Sequence, residues 1–410
     1  MERIEADLLI PGRGYPVERG CVVLDGPVIT YAGAASGAPM TPDATVTHAP
    51  VVMPGMWDCH GHFMGVLTAD LSQIVHLPRE VAAARAANDA RVALEAGFTS
   101  VREAGGLGVY LARVINEGTI PGPTIYAPGA VLSTTGGHGD IHAYPVDWVA
   151  DYGHAGGALY LADGVPECLR AVRAQLRLGA RVIKVCASGG VLSELDDPIH
   201  QQFSDEELHA IVAEAARADR VVMAHCHGKP GIMAALRAGC ATIEHGTYLD
   251  EEAAELMAEK EAVLVPTRFI IERLVEFGAD SGVSDYAMRK IAVVAEHHAG
   301  SIEIARAAGV RIAAGTDIAT SGPDTIAPWG RNGREPGALV DVGLTALEAI
   351  EAVTANGPLT LGPQAPRSGM LAQGFDGDVV VLESNPAEDI SVLADPANVT
   401  GVWKAGVRVK

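Results

Sequence analysis

The sequence predicts an α/β protein: a (β/α)8 barrel of the TIM type, carrying a small β-sandwich domain built from both chain ends. Three observations lead there. Between Val51 and about Gly362, apolar runs of strand length alternate with amphipathic or Ala-rich helical stretches. Such alternation suits a parallel sheet closed on itself. Outside that region the texture is short strands and turns. Finally, histidine, carboxylate and lysine recur at the C-terminal ends of the predicted strands, where such barrels build their active sites. A doubly wound open sheet is the alternative, disfavoured because no Gly-x-Gly-x-x-Gly follows the first strand.

Composition narrows the function classes. The 410 residues are 48% hydrophobic and 20% charged, which is globular. A formal charge of −21 argues against nucleic acid and anionic lipid as partners. No apolar run approaches the roughly 20 residues of a membrane span. The start, Met1 to Asp7, has neither the basic nor the apolar region of a secretory signal. Cys21, Cys59, Cys168, Cys186, Cys226 and Cys240 follow no framework spacing, so they read as reduced core residues of a cytoplasmic enzyme.

In chain order, residues 1–53 hold strand-like runs at 5–10, 20–24, 28–32 and 44–48, separated by Gly, Pro and Asp. Residues 54–366 form the barrel. Its strands are expected at 51–58, 99–103, 124–127, 182–187, 221–226, 241–244, 262–266 and 310–317. Helices are expected at 79–95, 165–178, 204–218, 230–238, 250–260 and 286–308, then 338–342 and 345–355. Ser204 and Glu207 make a capping box. Residues 367–410 return to strands at 378–382 and 399–409, the last pair a hairpin with a two-residue turn at Ala405-Gly406.

The polar residues ending these strands carry the chemistry. His60 and His62 are two apart on an extended strand, so they share a face and can converge on one metal ion. His225-Cys226-His227 ends the fifth strand, Glu244-His245 the sixth and Asp317 the eighth. Alone, His245 could be a core histidine and Asp317 a helix cap. Lys184 is harder to explain away: it stands mid-strand in an apolar run, where an ammonium is costly. Reaction with carbon dioxide would turn it into an anionic carbamate whose two oxygens can bridge two cations.

With these motifs in place, the chain resembles the amidohydrolase superfamily. The likeness is to its imidazolonepropionase-like and prolidase-like branch, which includes dipeptidases and ochratoxin-type amidases. The resemblance rests on Pro54–His62, Gly136-Gly137-His138-Gly139-Asp140, Ile183-Lys184, His225-Cys226-His227-Gly228, Ile243–Gly246, Ala314–Asp317 and the closing Asp376–Leu382. It implies that His60, His62 and Asp317 hold one metal, that His225 and His245 hold a second, and that carboxylated Lys184 bridges them. His225 is preferred to His227 because it stands 20 residues before His245, as ligands in this branch do. His227 would then face substrate. The implied cofactors are two divalent ions, zinc first, with cobalt or manganese as alternatives. Family members often assemble, so a homo-oligomer is expected.

Two such cations lower the pKa of a shared water from about 15.7 to near neutrality. Asp317 can serve as general base and then acid. His138 lies in a Gly-rich loop and reads either as a catalytic donor or as a turn residue. Tyr248 and Arg268, following the sixth and seventh strands, are candidates to bind a substrate carboxylate. Arg102 reads as structural. The leading expectation is hydrolysis of a small amide, in a dipeptide or N-acyl amino acid. The alternatives are opening of a cyclic amide, lactone or ester, and a non-catalytic metal-binding protein.

Overall fold

The computed structural model describes the backbone of residues 1–410 and every side chain but that of Leu71. The chain opens with β1 (Glu2–Leu9), β2 (Val17–Asp25), β3 (Val28–Ala34) and β4 (Thr45–Pro54). There follow β5 (Met56–Val66), β6 (Phe98–Glu103), β7 (Thr124–Tyr126), β8 (Val131–Ser133), β9 (Leu159–Leu161) and β10 (Ile183–Cys186). Then come β11 (Val222–Cys226), β12 (Thr242–His245), β13 (Val263–Val265), β14 (Arg311–Ile312) and β15 (Ile318–Thr320). The end is β16 (Val379–Leu382), β17 (Val399–Lys404) and β18 (Val407–Arg408). Helices α1 (Arg79–Glu95), α2 (Gly108–Asn116), α3 (Val146–His154), α4 (Val165–Leu178), α5 (Asp205–Ala216) and α6 (Lys229–Ala238) lie among the middle strands. So do α7 (Glu251–Glu259), α8 (Arg268–Phe277) and α9 (Asp285–Ala307), with α10 (Arg334–Asp341) and α11 (Ala346–Ala352) after β15.

Both chain ends share one sheet, ordered β18-β17-β16-β4-β1-β2-β3. β16 runs antiparallel to β4, with Val380 opposite Met53. This is one continuous sheet, whereas a sandwich stacks two. It curls instead: the Ile29 amide donates to the Phe375 carbonyl at 2.8 Å, and Gly377 to Pro27 at 2.7 Å. The curl encloses its own apolar core, with Ile4, Val22, Ile29, Val52 and Trp403. The Ala405-Gly406 turn has φ of 48° and 75°, the left-handed pair a two-residue hairpin requires.

The middle of the chain is parallel α/β. One sheet is ordered β14-β13-β12-β11-β10-β8-β9 and the other β15-β5-β6-β7. Backbone hydrogen bonds join the two, from Arg181 to Ala127 at 2.9 Å and from Cys59 to Ala314 at 2.8 Å. Side chains of both sheets meet in a shared cluster that includes Trp57, Tyr126, Met223 and Val265. Trp57 stacks on Tyr126 with centroids 5.2 Å apart.

Several expectations are corrected. The run expected at 51–58 is two strands. Residues 51–54 end β4 and the next sheet starts at Met56. Gly55 makes the join, because a Cβ there would sit 2.2 Å from the Thr99 hydroxyl. The eighth run, expected at 310–317, is regular only at Arg311–Ile312, and β15 (Ile318–Thr320) begins just after it. Strands β8 and β9 and helices α2, α3 and α8 were not anticipated. Among the described residues no helix is long and apolar enough to cross a membrane. All six cysteines are buried and unpaired.

Candidate active site

Strand register brings the histidines together. Cys186 pairs with His225, and Cys226 with His245. Lys184 and His225 therefore point to the same side of adjacent strands. His60 and His62 do the same on β5. Strict alternation would turn His245 away from Glu244. His245 instead has φ of 67°, and this left-handed kink at the strand end lets its ring join the others. Asp317 is also left-handed, at φ 57°. Such non-glycine backbone costs about 1–3 kcal/mol each and persists where surrounding contacts enforce it.

The result is one cavity. His60, His62, His138, Lys184, His225, His227, His245 and Asp317 all line it. Centroid separations are 5.0 Å for His60–His245, 4.6 Å for His225–His245 and 4.8 Å for His225–His227. Tyr248 and Arg268 are not in its wall. Tyr248 packs on His297, at 4.8 Å between centroids. The Arg268 guanidinium pairs with Glu272 one turn along α8, at 2.9 Å. The remaining wall is apolar and includes Met64, Val131, Leu192, Ile270, Leu274 and Ile326.

Each imidazole has one nitrogen fixed from behind. His60 Nδ1 donates to Glu244 at 2.7 Å, and His62 Nδ1 to the Gly105 carbonyl at 2.8 Å. His225 Nε2 donates to the Gly189 carbonyl at 3.1 Å. Acceptor-only partners dictate those tautomers and leave a lone pair on the other nitrogen. His227 and His245 bond Thr247 and Thr267 through Nδ1, at 2.8 and 2.7 Å. Burial, the largest influence, lowers the pKa of His60 to about 4 and of His227 to about 3. It holds His225 and His245 well below the usual range. These are neutral rings with exposed lone pairs, which metals require.

The donor set fits a cation. His62 Nε2 faces Asp317 Oδ1 at 3.1 Å, and His60 Nε2 faces it at 3.5 Å. Two imidazole nitrogens this close to one carboxylate oxygen make a site that a bound cation would satisfy. His60, His245 and Asp317 form one group able to hold a metal, and His225, His227 and His245 another. Lys184 is 3% exposed, and its Nζ has no hydrogen-bond partner among the described residues. Burial lowers its pKa, outweighing Glu244 and Asp317.

Behind these ligands stand Arg102, read from the sequence as structural, and Asp58, which the sequence reading did not single out. Arg102 is wholly buried. It donates to Cys59 O at 2.7 Å, to Thr242 Oγ1 at 2.9 Å and to both Glu244 oxygens at 2.8 Å. Arg102 thus orients the carboxylate that orients His60. Asp58 accepts from the backbone of His60 and Thr316 at 3.1 Å each, and from the Thr316 hydroxyl and Asn332 amide at 2.6 Å each. That ties β5 to the turn carrying Asp317. An acid two residues before His60, and a buried cation ending the neighbouring strand, were the traces available in the sequence.

The profile of the amidohydrolase family matches residues 51–409. The chain belongs to the amidohydrolase family. Ochratoxinase of Aspergillus niger is 44% identical over 417 aligned residues, covering 98% of this chain and 85% of that one. The crystal structure of A. niger ochratoxinase superposes with a TM-score of 0.92, covering 100% of this chain and 95% of that one. A prolidase solved with N-methylphosphonate-L-proline is 34% identical, with a TM-score of 0.92 and coverage of 100% and 99%. A Xaa-Pro dipeptidase with bound methionine is 31% identical, with a TM-score of 0.87 and coverage of 100% and 99%. This amidohydrolase is a metal-dependent hydrolase of amide bonds.

Proposed function

We propose that the enzyme cleaves the amide of an N-acyl amino acid or dipeptide carrying a bulky apolar group, using two divalent cations, zinc first. The two parallel sheets are read as a closed (β/α)8 barrel, with residues 1–53 and 367–410 as the accessory domain. His60, His62 and Asp317 would hold one ion, His225 and His245 the other, and Lys184, carboxylated, both. The observation that carries this reading is the Lys184 amine: buried, without a hydrogen-bond partner among the described residues, and lining the same cavity as His60, His62, His225, His245 and Asp317. Its lowered pKa favours the neutral amine, the form that attacks carbon dioxide.

When bound, the cations polarise the substrate carbonyl and acidify a water. The chain supplies the rest. Asp317 takes the proton of the attacking water and returns it to the leaving nitrogen as the C–N bond breaks. His138, fixed by Ser193 at 2.9 Å, and His227 hold the carbonyl oxygen or the substrate carboxylate. Among the described residues lining the cavity, Lys184 is the sole lysine or arginine. The apolar wall suits a large uncharged group, which supports the substrate class.

The test is metal analysis with activity. Lys184→Ala should lose at least one ion per chain and most activity on N-acyl amino acids and Xaa-Pro dipeptides. Retention of both ions sinks the bridging role. Turnover of only cyclic amides or lactones overturns the substrate class. A second ligand set has its own support, since the available ligand atoms of His225, His227 and His245 lie within 4.8 Å of one another. Loss of an ion in His227→Ala would make His227 a ligand.

A further inference from the structure

Residues 188–197 leave β10 beside Lys184 and form neither helix nor strand. Yet they touch much of the site. Gly189 O accepts from His225 at 3.1 Å. Ser193 Oγ meets His138 Nδ1 at 2.9 Å. Val191 and Leu192 belong to the cavity wall. Gly190 lies so close to His138 that a Cβ there would be 2.1 Å from Nδ1. A segment without its own hydrogen-bond ladder needs outside partners for its carbonyls.

Those partners come from α9, distant in sequence. Lys290 Nζ donates to Gly190 O at 3.2 Å, to Ser193 O at 2.8 Å and to Asp196 O, and lies 3.6 Å from the Asp196 carboxylate. One turn earlier, the Tyr286 hydroxyl donates to Leu192 O at 3.3 Å. An ammonium has three donors, and all three are used on one strap. The strap is also braced internally: Asp196 Oδ2 accepts from the Gly190 amide at 2.8 Å.

We propose that Lys290 is a positioning residue: it fastens residues 188–197 to α9, so fixing the Val191–Leu192 wall and setting which substrate sizes bind well. Lys290 lines no part of the cavity itself. Its influence runs through carbonyls, which the planar fork of arginine meets less well than an ammonium.

Lys290→Met, Lys290→Arg and Ser193→Ala should be compared with wild type on two amides, one with a bulky apolar acyl group and one acetylated. This choice of substrates rests on the proposed function. Lys290→Met should raise KM for the bulky amide about tenfold, with kcat within about threefold and metal content unchanged. The acetylated substrate should change far less. Lys290→Arg should restore part of the loss, and Ser193→Ala, which keeps the carbonyl that Lys290 bonds and loses the His138 contact, should affect both amides alike. Amide hydrogen exchange across 189–197 should accelerate in Lys290→Met while α9 keeps its protection. An equal KM change for both amides in Lys290→Met, or unchanged exchange in the strap, overturns the proposal. Should wild type cleave neither amide, the substrate class fails, and the exchange measurement still decides the role of Lys290.

Discussion

Glu103 stands one strand-end away from the cavity, wholly buried. Its Oε1 accepts from the Gly108 amide at 2.8 Å and from Phe63 at 3.3 Å, while Oε2 has no partner among the described residues. Burial pushes its pKa from 4.5 up to about 8, and the two amides only partly offset this. Between those values the folded chain keeps a proton that the unfolded chain has released. The contribution to stability is therefore complete below about pH 4.5 and is lost as pH rises towards about 8. Glu103→Gln keeps the oxygen acceptor and puts its amide where nothing is displaced. Denaturant midpoints across that range should fall less steeply in the variant; equal slopes would show that Glu103 is ionised throughout. Glu244 is the opposite case. Burial pushes it up, but Arg102 and His60 more than offset this and bring it to about 2. It remains a carboxylate at any working pH, so the tautomer of His60 is fixed.

Elements differ in how far they explain themselves. Helix α4 follows from local periodicity, α1 from its alanine-rich composition, and α5 from its capping box. Ser204 Oγ accepts from the Glu207 amide at 3.3 Å, and the Glu207 carboxylate from Ser204 at 2.7 Å. Ser204→Ala should cost about 1 kcal/mol, read as a shift in urea midpoint at constant slope, without change in KM. A shift in KM would mean that α5 also positions the site. Helix α8 was invisible for a physical reason. Its first amides, Arg268 and Phe269, donate to Glu335 at 3.0 and 2.7 Å, a cap 66 or 67 residues away. The residue before it, Thr267, is left-handed at φ 56° and bonds His245. Helix α2 likewise takes its cap from Glu103, across a Gly-rich turn. No local propensity records a cap supplied from elsewhere in the chain.

At the scale of the molecule, both sheets and the turn after β14 converge on one charge-dense centre. A bound ion stabilises the folded state by mass action, about 4 kcal/mol at 1,000 times its dissociation constant. Exhaustive chelation should therefore lower the melting temperature and abolish amide hydrolysis together, and zinc should restore both. Unchanged melting by calorimetry, with activity intact, would remove the metal from the reaction.

The sequence by itself pointed to most of the polar side chains that line the cavity. Strand alternation put His60 with His62 and His225 with His227. A lysine in an apolar run stood out as costly to bury. The pairing of the chain ends was legible because both are strand-rich and separated by an alternating middle. Tertiary structure alone decided how the site closes. His245 and Asp317 depend on left-handed backbone, which alternation cannot anticipate. Tyr248 and Arg268 stand near the right strand ends yet turn to His297 and Glu272. Arg102, Asp58 and Lys290 act through contacts between residues far apart in the chain. Periodicity reports the direction of a side chain from its own strand or helix; its partner is fixed only when other strands and helices are packed against it.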